Sequence, residues 1–109
     1  MQHAIKEADW KVLRTLHPLA LERHCDRVLR EVERVVQDSS MGTHARYQVL
    51  FELFQRRDRK IAQLFNDPRR STALTMLAGL HAEGLLTDEE FSRLSPDTRS
   101  AVETLLGAR

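Results

Sequence analysis

The segment from Pro18 to Ser40 carries two opposed stripes. Leu21, Cys25, Val28, Val32 and Val35 recur at alternating fours and threes, with Val36 beside the last of them. Arg23, Arg27, Arg30 and Arg34 follow the same rhythm on the other side. Steps of four and three gather side chains on one face of an α-helix, and a strand, which alternates with period two, gathers neither set. The segment is therefore expected to be a long helix with its apolar side on a core. Its arginines then form a cationic row roughly 16 Å long at 1.5 Å rise per residue.

The rest of the chain is consistent with helices only. Four glycines and three prolines in 109 residues are too few for the frequent turns of a sandwich or barrel. Leu, Ala, Arg and Glu, all good helix formers, dominate. We expect an all-α fold, a compact helical bundle of five to six helices with two long central helices, in a single domain spanning residues 1–109. A chain of this size buries a real core without disulfides or metals.

The expected elements follow from caps and breakers. Residues 1–8 read as frayed or weakly helical. Asp9 caps a short helix from Trp10 to Leu16, and the helix either breaks or only kinks at His17-Pro18, because a residue before proline is biased away from helical geometry. Pro18 then opens the second helix, which runs to about Asp38. Ser39 to Thr43 is a loop. A third helix runs from His44 to about Phe65, with Tyr47, Leu50, Leu53, Phe54, Ile61, Leu64 and Phe65 as its core stripe and Phe51 peripheral. Asp67-Pro68 reads as cap and first turn of a fourth helix that Gly84 ends, and Gly79 within it points to a close helix contact. Thr87 to Glu90 is a capping box, and Ser95-Pro96 starts the last helix.

Charge is balanced overall, at a net +1, but unevenly placed. Residues 1–43 hold seven basic and seven acidic residues, 44–70 hold seven and three, and 71–109 hold three and six. Attraction between the basic middle and the acidic C-terminal third is the simplest expected use. No run approaches the length of a membrane span. The lone Cys25, in an apolar stripe, behaves as a small hydrophobe. With no basic stretch and apolar run at the N-terminus, a cytoplasmic location is expected.

No catalytic, cofactor or metal constellation emerges. None of the five histidines has a carboxylate three residues before it in the Glu-x-x-His pattern of di-metal bundles, and no His-x-x-x-His pair occurs. No Gly-rich phosphate loop is present. Arg57 stands out because it falls in the apolar stripe between Phe54 and Ile61. A cation there needs a carboxylate from a neighbouring helix, or it lines a cleft as an anion-binding group. The wider cationic face would comprise Arg23, Arg27, Arg30, Arg34, Arg56, Arg59, Arg69 and Arg70. These features suggest an adaptor or regulatory protein that contacts another protein, without catalytic activity. The alternative is a nucleic-acid-binding regulator using the arginine face, and a homodimer is compatible with either.

Overall fold

The computed structural model describes residues 5–107, which form an all-α bundle with five helices among them. These are α1 (Glu7–Val36), α2 (Thr43–Phe65), α3 (Ala73–Ala82), α4 (Asp88–Phe91) and α5 (Pro96–Gly107). Of the segment expected to fray, residues 1–4 lie outside the described residues. Ile5 is buried and the helix has begun by Glu7.

Of the two outcomes open at Pro18, a break does not occur, and one 30-residue helix runs through it. Proline removes one backbone hydrogen bond and crowds the carbonyl four residues back. Burial on both sides of it holds the helix together: Leu13, Leu16, Ala20 and His24 all face inward. His17, the residue expected to leave helical geometry, instead sends its ring to the end of α2. There its Nε2 lies 2.9 Å from the Phe65 carbonyl oxygen, and its ring sits edge-on to Phe65.

The fourth expected helix also starts later than its proline. Asp67 has φ of 59°, a left-handed conformation that cannot lead directly into a right-handed helix. Residues 69–72 make turns instead, and α3 begins at Ala73. Its end follows the sequence. Gly84, with φ of 69°, closes a Schellman motif in which its N–H donates to the His81 carbonyl and the Leu85 N–H to the Leu80 carbonyl. The capping box at Thr87 is formed in full.

α3 is apolar nearly all round and packs against α1, α2 and α5. Gly79 is where α2 comes nearest, since a methyl group there would stand 3.1 Å from Leu64. The buried side chains of the main apolar cluster come from α1 only as far as Ala20 and from α2 only from Leu64 onward, with Leu21 and Ile61 partly buried against them. Beyond that cluster α1 and α2 continue as an antiparallel hairpin. Contacts pair Val36 with Arg46, Glu31 with Arg57 and His24 with Phe65, in reverse order along the two helices.

Asp9, expected as a helix cap, is instead an internal anchor. It is 2 % exposed and ties the start of α1 to the start of α5. It accepts from the Ser95 amide at 2.8 Å, the Ser95 hydroxyl at 2.7 Å and the Thr98 hydroxyl at 2.6 Å. Burial alone would raise its pKa, but these donors, with the charge of Lys6, more than offset that and hold it below the usual value. Asp9→Ala is expected to cost about 2–4 kcal/mol, because it orphans three donors at once. Urea unfolding would show this as a lower midpoint at unchanged m-value.

Candidate functional site

The arginine stripe divides into residues committed inside the fold and residues left for solvent. Arg23 forms a two-pronged bridge to Glu90, at 2.6 and 2.8 Å, and also donates to the Leu85 carbonyl at 2.9 Å. Glu90 is buried and accepts as well from the Thr87 amide. The Arg23 guanidinium, outweighing burial, brings its pKa down to about 2. One turn on, Arg27 donates to the carbonyls of Glu83 and Gly84, at 2.7 and 2.8 Å, where α3 ends and its dipole is negative. Both arginines therefore clamp the α3–α4 connection to α1.

The other cations expected on this face are distributed as follows. Arg30 bridges Asp26 one turn away on the same helix at 2.8 Å. Arg69 pairs with Asp67, and Arg70 reaches Glu7 at 2.9 Å and the Ile5 carbonyl at 2.8 Å. Arg34, Arg56 and Arg59 have no hydrogen bond or salt bridge among the described residues. Between the basic middle and the acidic C-terminal third, Lys60 to Glu83 at 2.9 Å is the one salt bridge among the described residues. The attraction expected between those segments is thus mostly replaced by contacts to α1.

Arg57 both pairs and lines a cleft. It donates to Glu31 of α1 at 2.6 Å, and its Nε is buried without a partner. The cleft, of about 350 Å³, opens where the hairpin leaves the core. α1 supplies His24, Arg27, Arg30, Glu31 and Arg34, α2 supplies Arg57, and Glu83 closes it from the end of α3. His24 is 5 % exposed, and its Nε2 has no hydrogen-bond partner. Burial lowers its pKa, the charges of Arg57, Arg27 and Lys60 lower it further, and Glu83 partly opposes them. It is therefore neutral at pH 7. Unmet buried polar atoms of this kind cost about 1–3 kcal/mol each.

The opposite side of the hairpin is apolar and open. Tyr47, Phe51 and Phe54 are 69, 58 and 46 % exposed, and Leu29 and Val36 are 58 and 49 %. Tyr47 and Phe54 were expected in the core, and they are not. Only Leu53 of the first half of α2 is buried. At about 100° per residue, Leu29, Val32 and Val36 fall roughly 80–140° to one side of the inward line through His24. Tyr47, Phe51 and Phe54 fall roughly 100–160° to the same hand of the line through Leu53. Because the helices run antiparallel, both sets lie on one side of the hairpin, and Arg27, Arg30 and Arg34 lie on the other. The apolar spacings, 25-29-32-36 and 47-51-54, are those of a heptad seam.

Among the described residues, no group of histidine, cysteine and carboxylate side chains is arranged to hold a metal ion, and no helix is long and apolar enough to cross a membrane. Cys25 lies half-buried on α1.

The Arg23–Glu90 clamp makes stability depend on acid. Glu90 has a folded pKa of about 2, below its ordinary 4.5, so its contribution is complete above pH 4.5 and is lost as the pH falls toward 2. Its size is on the order of 3 kcal/mol. Glu90→Gln is expected to lower stability at pH 7 and to flatten the acid limb between pH 4.5 and 2, as read by chemical denaturation at a series of pH values.

No protein-family model, curated protein or solved structure matches this chain.

Proposed function

We propose that this protein works by protein–protein contact, as a small adaptor or regulator in the cytoplasm, and that the apolar side of the α1–α2 hairpin is its docking face. The observation that carries this reading is the aromatic stripe Tyr47, Phe51 and Phe54, about half or more exposed, beside Leu29 and Val36 on the same side. Scattered exposed apolar residues are ordinary, but a contiguous patch across two helices is characteristic of an interaction site. Aromatic residues are also the side chains that interfaces favour.

The face has a definite chemical preference. Its two seams run along antiparallel helices, and an amphipathic helix with apolar residues spaced by threes and fours can pack against them. Glu22 and Glu33 fall at the face's outer edge on α1 by the same helical spacing, and Asp58 lies one turn beyond Phe54 along the α2 stripe, all exposed and without a salt bridge among the described residues. The partner that fits is therefore a helix with an apolar stripe bordered by lysine or arginine. The nucleic-acid alternative is less well supported, because Arg23, Arg27, Arg69 and Arg70 already serve contacts within the chain.

A photo-cross-linking amino acid at position 51, compared with the same group at the exposed position 100, tests this reading. Position 51 is expected to give a protein adduct in cells and position 100 none. Tyr47→Glu with Phe54→Glu is expected to reduce the adduct at least about fivefold while moving the urea midpoint by no more than about 0.5 kcal/mol equivalent. An adduct of the chain with itself would make the partner a second copy, and no adduct above the control position would refute the reading.

A further inference from the structure

The cleft on the basic side of the hairpin is a separate feature, and the apolar docking face does not explain it. Four guanidinium groups, those of Arg27, Arg30, Arg34 and Arg57, converge on it against the two carboxylates of Glu31 and Glu83. With His24 neutral this leaves an excess of positive charge. Part of that charge is already used. Arg27 holds the end of α3, and Arg30 spends its Nε on Asp26. Glu31 takes one amino group of Arg57, and Lys60 holds Glu83. Arg34 has no partner among the described residues and is open to solvent, and Arg57 and His24, which also line the cleft, each carry an unmet nitrogen shielded from solvent.

We propose that this cleft binds a small phosphoryl anion, held chiefly by Arg34 and Arg57 and seated against His24. A planar guanidinium offers two parallel donors to a phosphoryl oxygen pair, and several such forks around one centre discriminate for a dianion over a single charge. At about 350 Å³ the cleft is of ligand size. Glu31 and Glu83 oppose a diffuse polyanion spread across the face but leave room for one centre between the arginines. The His24 Nε2 is shielded from solvent, so it gains a partner when an entering oxygen displaces the side chains over it.

Inorganic phosphate and pyrophosphate, titrated into the full chain at constant ionic strength and followed by NMR of the histidine and arginine side chains, test this. Saturable binding with shifts confined to His24, Arg34 and Arg57 is the expected result. Arg34→Gln touches nothing that holds the fold and is expected to weaken binding about tenfold or more. Arg59→Gln, an uncommitted cation outside the cleft, is expected to leave it unchanged. Equal loss in both variants would mean general charge attraction and overturn the proposal, as would no saturation at millimolar pyrophosphate. A single-stranded oligonucleotide arm separates the sources. If it binds more tightly than pyrophosphate and depends equally on Arg34 and Arg59, the site is a nucleic-acid surface and the proposal fails.

Discussion

α1 is longer than the core that stabilises it. A 30-residue helix extends about 45 Å, while the main apolar cluster takes buried α1 side chains only as far as Ala20. Everything unusual about the molecule follows from that mismatch. As far as Arg27, α1 has the shorter helices and their connections beside it and can bury both apolar and charged groups. Beyond Arg27 it has only α2, and two helices cannot cover each other on all sides. One side of the hairpin is left apolar and the other cationic, with Leu53 and Val28 the few side chains fully enclosed between them.

The arginines of one stripe divide by the same logic. Arg23 and Arg27 lie level with the short helices, so each finds carbonyl or carboxylate acceptors there. Arg30 and Arg34 lie beyond the last of those acceptors. One falls back on a neighbour along its own helix, and the other has none among the described residues. Identical residues at regular spacing thus have different energetic roles. The Arg23–Glu90 pair contributes kilocalories because its two-pronged hydrogen bonds outweigh the cost of burying the carboxylate, and the exposed pair contributes a few tenths because water competes for it.

Helix class, the Gly84 stop, the capping box and the close contact at Gly79 were all legible in the sequence, because each rests on residues within a few positions of one another. What was not legible depended on distance along the chain. Helical spacing marks Tyr47 and Phe54 as members of an apolar face, but it does not say whether anything covers that face. Asp9 looks like a cap in its own neighbourhood, and its true partners, Ser95 and Thr98, lie near the far end. Pro18 and Asp67 were settled in opposite directions. Packing carried the helix through the proline, while a left-handed Asp67 delayed a helix that local rules would have started. Arg57 was identified because a charge inside an apolar stripe is a conflict visible without any partner. The cleft around it was not, because Glu83 and the α1 arginines meet it only in three dimensions.

The ties that close the core are nested. Asp9 meets Thr98, Arg23 meets Glu90 and Arg27 meets Gly84, so α1 from Asp9 to Arg27 runs opposite to the last third of the chain. Each tie spans more than half the sequence, and closing such loops costs entropy before any contact repays it. During synthesis the hairpin of α1 and α2 can form early, but the carboxylate of Asp9 has no acceptor-matched donors until the segment around Ser95 has emerged. Most contacts of the fold are local to its helices, and these three ties are among the long-range ones that close last as the chain emerges.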